Sequence, residues 1–266
     1  MRTRPSMPQL GLGTEIGRGT GGVTDPNALA YFATAGVTDS TAKIQINSFV
    51  IGVKGLGLWP SMVCWPMRST QNASTTLTAY SLGGLGTYNG SLTGSASNYT
   101  TGGLNTSSSN YITTSLTGAL LVASRTIIAC YSSNNVTGYF MGYGTSATNS
   151  AFGLKYAGSS SFTTDVYNGS VGVSGSVNAN YHVHGGTYNG TQVTTIIDAV
   201  TPVSSTIALT TGSSTLDIGT SKPLSGQPST AILASAFYFN TSLTNTQFLS
   251  FVSIIQTTIG SGLTFN

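Results

Sequence analysis

Residues 181–200 read YHVHGGTYNGTQVTTIIDAV, and residues 216–240 read LDIGTSKPLSGQPSTAILASAFYFN. The first stretch sets two runs of β-branched and aromatic residues on either side of Asn189-Gly190, a dipeptide that tolerates the positive φ angles of a tight hairpin. The second adds an apolar step, a Gly- and Pro-containing loop and a long apolar run. Regular short strands, each bounded by turn residues, are the mark of an antiparallel β-sandwich.

The same rhythm continues outward from this segment. Candidate strands cover residues 77–82, 110–115, 120–131, 138–143, 151–157, 162–167, 181–186, 191–198, 206–209, 216–219 and 230–239. Asn89-Gly90 and Asn168-Gly169 give further turn signals. Ser- and Gly-rich stretches at 83–109 and 158–180 read as long surface loops. Trp59-Pro60 and Trp65-Pro66 bracket a short strand, SMVC, because the residue before a proline is pushed toward extended geometry.

Three helices flank the strands. Asp25 is a good N-cap, Pro26 suits the first helical position and Gly36 suits a C-cap, so DPNALAYFATAG reads as a helix. A second begins within 38–40, carries Ile46, Phe49, Val50 and Val53 at amphipathic spacing, and stops at Gly55 and Gly57. At the other end, Thr244 and Gln247 form a capping box and Leu243 and Phe248 a hydrophobic staple. Phe248, Phe251, Val252, Ile255 and Ile259 then line one face, and Gly260 closes the helix.

Composition narrows the function classes. Charged residues are 6% of the 266-residue chain, and the formal net charge is +3; an ordinary globular domain carries about 25% charged residues. Hydroxyls and amides must therefore supply solubility. A charge this weak, with no basic stripe, does not fit a nucleic-acid partner. No apolar run approaches the ~18 residues of a membrane helix. The start of the chain lacks the apolar core of an export signal, so the chain is expected to be made in a cytoplasm and to stay folded there or in a particle. Cys64 and Cys130 lie in apolar surroundings; two buried thiols and one disulfide are both open. Residues 1–23, with Arg2, Arg4 and Arg18, read as an extended arm, residues 24–66 as a helical lead-in and 67–266 as the sandwich with its C-terminal helix.

At this point the chain resembles a known fold family. YHVHGGTYNGTQVTTIIDAV is similar to the central hairpin of concanavalin A-like, laminin-G-like jelly rolls, with Asp198-Ala199 where an Asp-Gly turn is usual. TIIACYSSNNVTGYFMGYG resembles an earlier strand pair of that fold, and ASAFYFNTSLTNTQF its closing strand and helix start. DPNALAYFATAGVTDSTAKIQINSFVIGVKGLGLWPSM resembles the lead-in of virion structural proteins of tailed bacteriophages. Asp25, Ala28, Phe32, Ala35, Gly36, Thr38, Asp39, Ile46, Asn47, Val50, Gly52, Lys54, Gly57, Leu58, Trp59 and Met62 match its pattern. The resemblance implies a mainly β fold, an antiparallel concanavalin A-like jelly roll with an N-terminal helix pair and a C-terminal helix. It also implies location in a virion.

Chemistry is sparse. His182 and His184 alternate on one strand and share a face, but zinc needs further ligands; a structural pair is the plainer reading. Isolated aspartates make a weak calcium site. Glucanases of this fold carry E-x-D-x-E on one strand, whereas Glu15 is the single glutamate here, and Asp165, Asp198 and Asp217 lack the spacing of a carboxylate pair. The glycine-rich start has neither a phosphate-loop nor a dinucleotide pattern, and no nucleophile elbow occurs. No catalytic residue, metal or cofactor is expected, and the chain is read as a non-enzyme. Sugars stack on aromatic faces and take hydrogen bonds from amides and hydroxyls, so Tyr143, Tyr156, Tyr167 and Tyr188 are candidate glycan contacts. Arg2, Arg4 and Arg18 are candidate assembly contacts to sister subunits or other virion proteins. The expected role is a virion structural protein displayed on a capsid or tail, as a homo-oligomer; the alternative is an adhesin for host-surface glycan.

Overall fold

The computed structural model describes residues 24–72, 76–117, 124–133, 137–144, 151–166, 169–175, 178–209, 214–220 and 228–266. Among them two antiparallel sheets face each other and three helices cover the outer side of one. The strands are β1 (Met62–Pro66), β2 (Thr78–Ala79), β3 (Gly90–Thr93), β4 (Leu104–Asn105), β5 (Tyr111–Thr117), β6 (Arg125–Ser133), β7 (Gly138–Gly144) and β8 (Ala151–Gly158). They continue as β9 (Ser161–Val166), β10 (Gly169–Ser174), β11 (Tyr181–Tyr188), β12 (Gln192–Ile197), β13 (Val203–Thr206), β14 (Thr215–Ile218) and β15 (Ala231–Phe239). The helices are α1 (Pro26–Ala35), α2 (Ser40–Gly55) and α3 (Asn245–Thr257). The first sheet runs β1-β15-β6-β11-β12-β13, with β4 also on β15; the second runs β10-β9-β8-β7-β14-β5-β3-β2.

Strand periodicity explains the layering. Successive side chains of a strand point to opposite faces. On β6, Ile127, Ala129 and Tyr131 enter the core between the sheets, while Ile128 and Cys130 lie under the helices. On β15, Ala236 and Tyr238 face the other sheet while Phe237 and Phe239 face α2 and α3. The strands β1, β6, β11 and β15 of this sheet are therefore buried on both faces, which is why they read as unbroken apolar runs rather than alternating ones. Cys64 and Cys130 are buried free thiols in the helix-covered layer.

The lead-in pattern is spent on fastening. Asp25 caps α1 by accepting from Asn27 N, and Gly36 closes the helix at φ 66°. The Asp25 backbone N–H donates to Asn47 Oδ1 at 2.7 Å, and Lys54 Nζ donates to both Asp25 carboxylate oxygens at 2.8 Å, tying α1 to α2. Asp39 caps α2 through Ala42 N at 2.7 Å. Ala28, Phe32, Ala35, Ile46, Val50, Leu58, Trp59 and Met62 are all buried in the layer between helices and sheet.

Several local expectations change. Trp59–Ser61 is a 3-10 turn rather than extended chain, so the strand begins at Met62 and includes Trp65 and Pro66. Asn89-Gly90 is not a hairpin turn: Gly90 already pairs with Ala79 and Thr114, and Asn89 Oδ1 instead accepts from Ser81 N at 2.9 Å. The stretches read as loops contain β3, β4 and β10. The edge strand β13 lies at Val203–Thr206 instead of 206–209 and is exposed along its length. The hairpin at Asn189-Gly190 is present, with positive φ at Gly190 alone; Asn189 Oδ1 accepts from Thr191 N and Gln192 N in an Asx-type turn. Asp198 takes positive φ, 51°, so the turn is made at the aspartate and Ala199, which stands where the family's glycine is usual, does not need the left-handed region. Both halves of the capping box at Thr244 and Gln247 are formed. No described helix is long and apolar enough to cross a membrane.

Candidate functional site

Tyr143, Tyr156 and Tyr188, candidate glycan contacts near strand ends or loops, lie inside the sandwich with at most 4% of their surface exposed. The correction follows from strand alternation, since each falls on the inward parity of its strand. Tyr156 packs on Phe162 with ring centroids 5.3 Å apart. Tyr188 donates its hydroxyl to Gly190 O at 2.7 Å and accepts from Leu209 N at 3.2 Å, which holds the hairpin tip to the chain after β13. Tyr167, Glu15, Arg2, Arg4 and Arg18 lie outside the described residues.

What Tyr143 and Tyr188 flank is a cation. Arg125 opens β6 and points into the core, 2% exposed. Its guanidinium carbon sits 5.4 Å from the Tyr143 ring, 5.4 Å from Phe152 and 5.0 Å from Tyr188. Arg125 pairs across the first sheet with Tyr188, and Tyr143 pairs across the second with Phe152, so two cross-strand pairs close on one charge. Arg125 Nε and Nη1 are enclosed and have no hydrogen-bond partner among the described residues. Ring contacts of this kind contribute about 2 kcal/mol each when desolvated. Burying an unpaired ion costs several kcal/mol, and each orphaned donor about 1–3 more. The rings alone do not balance this arginine.

A second polar group lies between the sheets at the opposite end of β11. His182 Nδ1 is 2.8 Å from Asp198 Oδ2, and Asp198 Oδ1 accepts from Val183 N at 2.8 Å. His184 is fully buried, with neither ring nitrogen partnered, beside the rings of Phe140 and Phe162. Burial, and then the neighbouring His182, push its pKa down to about 3. The two histidines do share a face, but the described residues hold no cluster of three or more His, Cys, Asp or Glu side chains able to take a metal.

The remaining aspartates stand apart. Tyr139 donates its hydroxyl to Asp165, whose carboxyl is raised by burial against the pull of that hydrogen bond and of Lys155. Thr113 Oγ1 donates to Asp217 at 2.9 Å. Asp217 pairs with Gly142, Gly142 with Gly153 and Gly153 with Asp165, one row across four strands. Three strand spacings put the backbone positions of Asp217 and Asp165 about 14 Å apart, and each carboxylate accepts from a different neighbour, Thr113 and Tyr139. A glycosidase pair stands roughly 5–9.5 Å apart.

Two open concavities stand out among the described residues. One, of ≈ 200 Å³, runs between α1 and the chain before β3, lined by Asn27, Tyr31, Trp59, Ser81, Thr87 and Asn89 among others. The larger, of ≈ 430 Å³, lies on the outer side of the first sheet where α3 leaves it uncovered. Thr187, Thr194, Ile196 and Ser204 form its floor, and Asn189, Pro202, Ser242, Leu243, Thr244 and Asn245 its walls. No charged side chain lines it, and Thr194 Oγ1 and Ser204 Oγ lie 2.7 Å apart across β12 and β13. Sequence reasoning missed this groove because its residues are ordinary turn and strand hydroxyls, spread over 59 positions from Thr187 to Asn245.

No protein-family model and no curated protein sequence matches the chain. Solved structures do. Trypanosoma rangeli sialidase in complex with sialic acid superposes with a TM-score of 0.54 at 13% identity, covering 81% of this chain and 39% of that one. The same enzyme with a difluorinated keto-deoxy-nononic acid gives 0.54 at 14% identity over 75% and 33%. Mouse laminin α1 domains LG4-5 give 0.36 at 11% identity over 48% and 40%. The chain spans less than two fifths of the sialidase chain, and at such identity the likeness concerns the fold alone: a jelly-roll-like β-sandwich.

Proposed function

We propose that this chain is a non-catalytic glycan-binding sandwich whose contact surface is the ≈ 430 Å³ groove beside the N-terminus of α3. The observation that carries the reading is the groove's lining of hydroxyls and amides without charge. A neutral sugar presents many hydroxyls and no ion, and such a lining can meet them without stranding a charge. Its volume suits a small ligand. The sialidase of like fold was solved with sialic acid, which gives the sandwich a carbohydrate context. The non-catalytic part is supported by the ~14 Å between the backbone positions of Asp165 and Asp217, beyond the separation used by a paired-carboxylate glycosidase. A glycan array probed with the full chain tests the reading, with Ser204→Tyr, at an exposed strand position, filling the groove. Retained glycan signal in that variant, or no signal from the parent chain, would sink it.

A second reading concerns where the module works. The lead-in resembles that of tailed-phage virion proteins, and the same residues bind α1 and α2 to the sheet. It is the sequence resemblance that supports reading the chain as a virion structural protein displayed on capsid or tail, in homo-oligomeric copies with sister subunits and other virion proteins as partners. Repetition on a particle would raise weak glycan contacts to useful avidity. Antibody against the chain should decorate intact tailed particles in negative-stain micrographs; bare particles would reject the reading.

A further inference from the structure

We propose that the ≈ 200 Å³ groove between α1 and the chain before β3 is a second ligand site, one that takes the acetamido group of an N-acetylated amino sugar. It shares no lining residue with the outer groove and does not depend on its reading. Three side chains of its wall keep a hydrogen-bond donor in hand. Asn27 Oδ1 accepts from Lys54 Nζ at 2.6 Å, and Asn89 Oδ1 accepts from Ser81 N at 2.9 Å. An ammonium and a backbone N–H can only donate, so each amide has its oxygen engaged and its NH2 left over. Among the described residues neither NH2 has a partner, and neither does the Trp59 indole N–H. Trp59 Nε1 and Asn89 Nδ2 are not among the enclosed atoms, and Asn27 is exposed, so solvent reaches this wall. A Cβ on Gly84 would come 2.5 Å from Trp59 Cδ1 and 2.7 Å from Nε1, so a residue without a side chain leaves that indole edge bare.

The ligand class follows from what the groove has left to offer. Tyr31 donates its hydroxyl to Gln71 O and Thr34 donates its own to Ala30 O, both at 2.9 Å, so Tyr31 presents a ring. No charged side chain lines the groove, and the neighbouring Lys54 is already paired with Asp25 at 2.8 Å. Free donors without a free charge call for a neutral acceptor. An amide carbonyl is one, with two lone pairs for two of the three N–H groups. The methyl of an acetamido group finds apolar surface on Ala30, Leu82 and the Tyr31 ring. The hydroxyls of Ser81 and Thr87 on the opposite wall suit those of the sugar ring. The volume admits one ring with its substituent rather than a longer chain.

Indole N–H NMR of the full chain decides the matter, because the chain has two tryptophans and they differ in the needed way. Trp65 Nε1 donates to Tyr88 O at 2.7 Å and serves as the internal reference, while the Trp59 signal is identified by its Overhauser effects to the Gly84 α protons. The probes are the methyl glycoside of N-acetylglucosamine, methyl glucoside, which lacks the acetamido group, and N-methylacetamide, the bare amide. The expected result is a saturable shift of the Trp59 signal with the acetamido sugar, absent with methyl glucoside, while Trp65 stays still. Ala30→Tyr, at an exposed helix position on the groove's rim, should abolish that shift. Ser204→Tyr, which fills the outer groove, should leave it intact, so the two sites fail separately. A Trp59 signal that stays still with the acetamido sugar, or moves equally with methyl glucoside, overturns the proposal. So does a shift that survives Ala30→Tyr. Saturation by N-methylacetamide without any response to the sugar would assign the groove to a peptide carbonyl and overturn it as well.

Discussion

His184 shows what one buried polar side chain does to the whole chain. Its ring is enclosed by Phe140, Phe162 and His182, and burial holds its pKa near 3, while in the unfolded chain it returns to about 6.5. Between those values the unfolded chain binds a proton that the folded chain refuses, so stability falls as pH falls. The contribution is complete above pH 6.5 and is lost downward through that window at about 1.4 kcal/mol per unit. Urea titrations at pH 7, 6 and 5 should show the loss. His184→Leu should flatten it while matching or exceeding the parent's stability at pH 7, because it removes two unpartnered nitrogens. An unchanged slope would assign the acid sensitivity elsewhere. The sequence told that His182 and His184 share a face, since period two fixes it; which face depends on the opposite sheet. The same limit applied to Tyr143, Tyr156 and Tyr188, whose inward parity was invisible until the sheets were paired.

At the scale of elements, the central strand β11 is held between two partners that leave no room for side chains at its middle. A Cβ on Gly185 would come 2.3 Å from Phe248 of α3, and one on Gly186 would come 2.6 Å from Thr164 of β9. Gly185→Ala should therefore cost roughly 1–3 kcal/mol by overpacking, and Phe248→Ala roughly 3–5 kcal/mol by leaving a cavity. Because both changes act on one contact, Gly185→Ala made in the Phe248→Ala background should cost close to nothing. Chemical denaturation of the four proteins measures the coupling, and strictly additive losses would refute the contact. Capped and periodic elements were legible: Asp25, Gly36, Thr244 and Gln247 mark α1 and α3 within a few residues, and the apolar runs mark β6, β11 and β15. The strands β3, β4 and β10 were not, since GSLT, LN and GSVGVS carry few large apolar residues and owe their pairing to neighbouring strands. The groove escaped for a like reason, being a product of where α3 stops covering the sheet.

In the whole molecule, the first sheet belongs to two cores at once. Its strands give Ala129, Tyr131 and Tyr238 to the layer between the sheets, and Cys130, Val183 and Phe237 to the layer under α2 and α3. Neither layer can open without stripping one face of the same strands, so helices and sandwich should unfold in a single transition. The free thiols offer the probe. Cys64 and Cys130 are fully buried, and burial first of all raises both thiols, Cys130 to about 12, so neither presents thiolate at neutral pH. An aromatic disulfide reagent at pH 8 should therefore leave the folded chain unlabelled. Along a denaturant series the labelled fraction should rise with the loss of far-ultraviolet circular dichroism, at one midpoint. Labelling that runs ahead of the circular dichroism would mean that the helix layer lifts off on its own. In that case α1, α2 and α3 would form a separable cap, and the lead-in would be a detachable device instead of part of one cooperative body.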